Sequence, residues 1–159
     1  KVKCLVVGNG RIGKSISHML MSLGMSVDIK TRTNSIQDYN IYSFVINALP
    51  LNDTTLNYFN ENFLGKLNKN TYIINVGRGE TIDEDVLYDY LSNNKIRGAF
   101  LDVVKNEPIQ KENKLLSLNN VFISPHIANA LYNSIDIQVT EFKNNLNLYK
   151  NNKKLNNII

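Results

Sequence analysis

The sequence predicts an α/β domain built on a doubly wound, mostly parallel sheet with helices on both faces. Six short apolar runs recur along it, at residues 4–7, 27–29, 44–46, 72–74, 99–101 and 121–123. They are mostly continuous rather than alternating in polarity, the pattern of strands buried on both faces. Segments with helical spacing lie between them, and strand-helix-strand repetition of this kind builds a parallel sheet.

Each connection reads in turn. After the first run, Ile12, Ile16, Met19, Leu20 and Leu23 recur at helical spacing, and Gly24 stands as a C-terminal stop. Residues 30–43 leave only about a dozen positions for the next crossover, near the minimum for one. A very short helix or an irregular loop is expected there. Residues 53–67 read as a helix with Leu56, Phe59, Phe63 and Leu64 on one face. Asp83 reads as the N-cap of a helix carrying Val86, Leu87, Tyr90 and Leu91. A last helix is expected over residues 130–149. No internal repeat interrupts this order.

Composition narrows the function classes. The chain has 159 residues, the size of about one domain. A 43% hydrophobic and 20% charged composition is that of an ordinary globular protein. The net charge of +4 is scattered, and its densest cluster, residues 150–154, lies in an Asn-rich tail, so nucleic-acid binding is not expected. No apolar run approaches the roughly 20 residues of a membrane span, and no signal-peptide pattern opens the sequence. The first residue is not Met, which suggests a longer natural chain. Cys4 is the single cysteine and lies in an apolar run. It cannot build a disulfide framework or a zinc site, no metal site is expected, and a cytoplasmic core thiol is the reading.

The first motif is Gly8-Asn9-Gly10-Arg11-Ile12-Gly13, a GxGxxG pattern between a buried-type strand and an amphipathic helix. Gly8 permits a tight turn, Gly10 lets the backbone approach a pyrophosphate, and Gly13 lets the helix sit close to the strand. The helix N-terminus, at Arg11 and Ile12, offers unpaired N–H groups to phosphate. The fold is therefore read as Rossmann-type, with residues 1–150 a dinucleotide-binding domain and residues 151–159 a tail. A carboxylate about 20 residues on would grip the ribose 2′-hydroxyl of NAD. Here that place holds Thr31-Arg32-Thr33, which suits a 2′-phosphate instead. NADP is read ahead of NAD.

Three later strand ends carry polar residues, and ligands of such sheets bind outside those ends. Val76-Gly77-Arg78-Gly79 puts a guanidinium between two glycines, able to fork onto a carboxylate. Asp102 and the Glu107-Pro108 turn follow the fifth run, and Ser124-Pro125-His126 follows the sixth. Hydride transfer to a ketone leaves charge on its oxygen, for which an imidazole is the natural proton donor. A carboxylate such as Glu107 on the far ring nitrogen would favour the charged imidazole and fix its tautomer. His18, inside the first helix, is read as structural.

Taken together, these segments resemble the D-isomer-specific 2-hydroxyacid dehydrogenases, which include glyoxylate/hydroxypyruvate reductases and phosphoglycerate dehydrogenases. The resemblance covers residues 7–13, Leu49-Pro50-Leu51 with Thr55, residues 74–79, residues 98–103 with Glu107-Pro108, and residues 124–128. It implies that Arg78 binds the substrate carboxylate, that His126 is the acid-base group and that Glu107 holds it. It implies cofactor contacts at Gly8, Gly10, Arg11, Ile12, Gly13, Thr31, Arg32, Thr33, Leu49, Pro50, Thr55, Val76, Gly77, Arg78, Asp102 and His126. The implied substrate is a small 2-keto or 2-hydroxy acid, and the implied assembly a homodimer. Asn9, Asn129 and the short 30–43 connection depart from the family pattern. An N-terminal substrate domain of the family is missing from this chain, so weak catalysis by this domain alone is expected. An NAD(P)-sensing scaffold of the corepressor kind would keep the same motifs and is the alternative. An amino-acid dehydrogenase is disfavoured by His126 and Glu107-Pro108.

Overall fold

The computed structural model describes residues 1–128 and 134–156. The chain divides into two compact units, Lys1–His126 and Ile127–Ile159.

In the first unit the six apolar runs form six strands: β1 (Lys3–Val7), β2 (Ser26–Lys30), β3 (Phe44–Asn47), β4 (Tyr72–Asn75), β5 (Gly98–Leu101) and β6 (Val121–Ile123). They make one sheet in the order β2-β1-β3-β4-β5-β6, with every neighbouring pair parallel. The chain leaves β1 toward β2 on one side and returns on the other side as β3. That reversal places a crevice at the C-terminal ends of β1 and β3, where such sheets hold ligands.

Helices flank the sheet. α1 (Arg11–Ser22) packs with Cys4, Val6 and Ile46, while α3 (Glu84–Ser92) belongs to a separate, larger cluster around Leu5, Val45, Ile73 and Leu101. The side chain of Asp83 caps α3 by accepting the Asp85 and Val86 N–H groups, as expected from its position. Residues 31–43 form an irregular loop, one of the two forms expected. Cys4 is fully buried, and burial pushes its thiol up from the ordinary value.

Three expectations are corrected. Of the five apolar residues read at helical spacing in α1, Ile16 and Leu20 pack toward the sheet beside the buried Gly13 and Ser17, whereas Ile12, Met19 and Leu23 are exposed. The helix lies so near the strand that a Cβ on Gly13 would stand 2.0 Å from the Gly8 carbonyl oxygen, so no side chain fits at that position. Residues 53–67 hold one helical turn, α2 (Glu61–Leu64), rather than a full helix. Asn57 turns the chain with φ +49, and the Asn60 side chain then caps the short turn by accepting the Phe63 N–H. Finally, β5 and β6 are not covered on both faces, because Phe100 and Phe122 are exposed.

The second unit contains α4 (Ser134–Lys150), with Asp136 in its first turn and Lys150 in its last, both favourable to the helix dipole. Asn145 holds the tail by accepting the Asn156 N–H and donating to its carbonyl. The expected start of this helix at Ala130, and Asn129, lie outside the described residues. Among the described residues no helix is long and apolar enough to cross a membrane, and no group of three or more His, Cys, Asp or Glu could hold a metal ion.

Candidate active site

The crevice at the switch point is a cavity of about 680 Å³ at the ends of β1, β2 and β3. Gly8 enters the loop with φ +113, and a Cβ there would meet the Ala48 carbonyl oxygen at 2.8 Å. Beside Gly10, by contrast, a Cβ would find nothing within 4 Å. No side chain caps α1 and no acidic residue stands in its first turn, so no side chain competes for its leading amides next to Gly10, itself on the crevice wall. These features fit a dinucleotide phosphate.

Of the predicted cofactor residues, Gly8, Gly10, Thr31, Arg32, Thr33, Leu49, Pro50 and Thr55 line this cavity. Arg11 and Ile12 open α1, and both are exposed. Thr55 is buried and shapes the wall from behind. Its hydroxyl donates to the Pro50 carbonyl at 2.7 Å and accepts the Asn52 N–H at 2.8 Å. Gly77 backs onto Leu49, with the Leu49 carbonyl oxygen 2.6 Å from where a Cβ would be. No carboxylate is among the described residues lining the cavity, while Lys30 and Arg32 both are.

A buried polar network, not anticipated in the sequence, joins this crevice to the arginine. Asn47 and Asn75 end β3 and β4 in register, each almost fully buried. The Asn47 amide donates to Asn75 Oδ1 at 2.8 Å and to Thr81 Oγ1 at 2.6 Å, and its oxygen accepts the Leu49 N–H at 3.0 Å. Asn75 accepts the Gly77 N–H and donates to the Arg78 carbonyl, which also accepts the Thr81 hydroxyl. The backbone that carries Arg78 is thus held by three buried side chains. The signal available in the sequence was a polar residue closing each of two adjacent apolar runs.

The Arg78 side chain is exposed, and its guanidinium donates to the Gly77 carbonyl at 2.7 Å. Gly79 lets this turn press on the next loop, since a Cβ there would stand 2.0 Å from the Val104 carbonyl carbon. On that loop the Glu107 carboxylate accepts the Val104 N–H at 3.1 Å through Oε1. Its Oε2 lies 2.7 Å from His126 Nδ1. The His126 ring bond holds the Glu107 carboxyl below the usual carboxylate range; partial burial opposes this, and the Val104 N–H assists it.

His126 itself has φ +55, a conformation uncommon for a residue with a side chain. It is held there by its N–H, which donates to the Asp102 and Ser124 carbonyls. Asp102 is buried and accepts the Ser124 hydroxyl at 2.6 Å, fixing the same turn through its side chain. Arg78, Glu107 and His126 come from three different strand ends, and all three border one cavity of about 300 Å³. His18 lies on the exposed face of α1 and lines neither cavity.

Residues 1–128 match the family described as D-isomer specific 2-hydroxyacid dehydrogenase, NAD binding domain. The chain belongs to this family. It is 32% identical over 156 residues to a probable 2-ketogluconate reductase of Dictyostelium discoideum, covering 89% of this chain and 47% of that protein. A glyoxylate reductase of Thermococcus kodakarensis is 32% identical over 160 residues, covering 92% of this chain and 48% of the relative. Among solved structures, an NADPH-dependent glyoxylate/hydroxypyruvate reductase from Sinorhizobium meliloti, in complex with NADP and malonate, superposes with a TM-score of 0.82. It is 33% identical and matches 93% of this chain and 50% of its own. The chain therefore spans about half the length of these relatives, and the half it spans is the coenzyme domain of the 2-hydroxyacid dehydrogenases.

Proposed function

We propose that this domain serves an oxidoreductase interconverting small 2-keto and 2-hydroxy acids, with NADP preferred to NAD. The observation that carries the reading is the single cavity bordered by Arg78, Glu107 and His126, beside a crevice suited to a dinucleotide. Bound nicotinamide supplies the hydride equivalent. The chain's own residues do the rest. Arg78 forks onto the substrate carboxylate and orients the adjacent carbonyl. His126 gives a proton from Nε2 to the carbonyl oxygen as negative charge gathers there, and takes it back in the oxidative direction. Glu107 keeps the proton on Nδ1, so that the opposite nitrogen faces the reaction, and offsets the charge of the imidazolium. Asp102 holds the histidine's turn and serves the nicotinamide side of the crevice.

Support for NADP comes from the 2′ position. Thr31, Arg32 and Thr33 line the crevice where a carboxylate would have favoured NAD, and the Sinorhizobium reductase is described with NADP bound. A homodimer and a cytoplasmic location belong to the same reading, the first supported by the exposed Phe100 and Phe122 on neighbouring strands. The test is an assay of the full-length protein that contains this domain, with NADPH or NADH against glyoxylate, hydroxypyruvate and longer 2-oxo acids. Consumption of NADPH dependent on a 2-oxo acid supports the reading. Tight coenzyme binding with no turnover on any 2-oxo acid would favour a sensor.

A further inference from the structure

The loop beside the predicted 2′-phosphate position is organised by two residues outside the family motif. Lys30 is the last residue of β2, and its backbone carbonyl accepts the Gly8 N–H at 3.0 Å, joining it to the glycine loop. Its ammonium turns back and donates to the carbonyls of Thr31 at 2.5 Å and Asn34 at 2.6 Å. Asn34 closes the same loop from the other end. Its oxygen accepts the Thr31 N–H at 2.7 Å, and its amide donates to the Ile29 carbonyl at 2.7 Å. The hydroxyls of Thr31 and Thr33 then lie 3.2 Å apart, with Arg32 between them in sequence.

We infer that Lys30 is a specificity-determining residue for the coenzyme: its ammonium is a second cation for a 2′-phosphate, and Asn34 is the positioning residue that holds the loop around it. The inference rests on the NADP reading above and names the residues that would enforce it. An ammonium has three donors, and two of them are spent on carbonyls. Carbonyl partners fix its place without cancelling its charge, and no ion pair joins Lys30 to an acidic side chain among the described residues. The carboxylate on the same strand, Asp28, accepts the Tyr42 hydroxyl and is not among the residues lining the crevice. Lys30 is among the residues lining the crevice, and an ammonium with two carbonyl partners keeps one N–H to donate. A dianionic phosphate there would meet a guanidinium from an exposed, adaptable side chain and an ammonium from a fixed one. An unphosphorylated ribose would leave the fixed charge without a counterion, which disfavours NAD.

The test compares binding of 2′,5′-ADP with binding of 5′-AMP by calorimetric titration, in the full chain and in K30M, K30R, N34A and R32A, with circular dichroism to confirm folding. K30M is expected to lose about tenfold in affinity for 2′,5′-ADP, the loss of one charge-assisted contact, while 5′-AMP binding stays within about twofold. K30R should recover part of the loss, and N34A should lose selectivity with its charge unaltered. If K30M and N34A leave the ratio of the two affinities unchanged while R32A lowers it, the inference is wrong and the NADP reading stands. Should the unaltered chain show no preference for 2′,5′-ADP, the NADP reading fails and this inference with it.

Discussion

His126 Nδ1 and Glu107 Oε2 lie 2.7 Å apart, an imidazole and a carboxylate brought together from the ends of two neighbouring strands. The pair assigns the two ring nitrogens different tasks, because the bonded one cannot also reach a substrate. Replacing Glu107 by Gln keeps an acceptor for the Val104 N–H but removes the charge that stabilises the imidazolium. Turnover is expected to fall by about ten- to a hundredfold, a fraction of a full general-acid contribution, with KM for the coenzyme nearly unchanged. Steady-state kinetics of E107Q checks this, and an unaltered kcat would remove Glu107 from the chemistry.

The same pair predicts a dependence of stability on acid. The folded Glu107 carboxyl lies below the usual range, so the unfolded chain takes up its proton first as pH falls. The stabilisation is present in full above the unfolded value of about 4.3 and disappears as pH drops through the lower folded value. The melting-temperature gap between the unaltered chain and E107Q should therefore narrow as pH falls below about 4. Thermal melts across that range test it. A gap that widens on acidification would contradict the sign.

Asn47 carries more than its own share of the crevice. Substitution by Ala removes the buried donor to Asn75 and Thr81 and leaves the half-buried Leu49 N–H without its acceptor. A loss of about 2–4 kcal/mol in unfolding free energy is expected, since unpaired buried polar groups each cost about 1–3 kcal/mol. Urea denaturation measures it. A loss under about 0.5 kcal/mol, the range of an ordinary surface substitution, would show the network to be dispensable.

Much of this architecture is legible in the residues themselves. The six strands are visible because each is a short apolar run between segments of different period, and a buried parallel strand has little else to be. Asp83 is visible because an N-cap acts within three residues of itself. The 53–67 segment is misread because its apolar spacing is helical while Asn57 and Asn60 redirect the backbone, a choice made by turn geometry rather than by periodicity. The α1 interface is read in part, through Ile16 and Leu20, and missed in part, because the close approach allowed by Gly13 leaves Ile12, Met19 and Leu23 outside it. At the candidate site, Arg78, Glu107 and His126 stand out as polar residues at strand ends. The Asn47–Asn75–Thr81 network does not, because its bonds depend on the register of β3 against β4 and on where Thr81 returns. The roles of Lys30 and Asn34 are hidden in the same way, since side chains that bond backbone carbonyls leave no pattern in sequence.

Central to the proposed chemistry is His126 as the proton donor, at a site whose coenzyme crevice is lined by other residues. The most direct measurement is turnover of a 2-oxo acid by the H126A variant of the full-length protein that contains this domain, with NADPH affinity measured in parallel by fluorescence titration. Turnover is expected to drop by about 10²- to 10⁴-fold while the NADPH dissociation constant stays within about twofold. Equal losses in both quantities, or none in turnover, would contradict it.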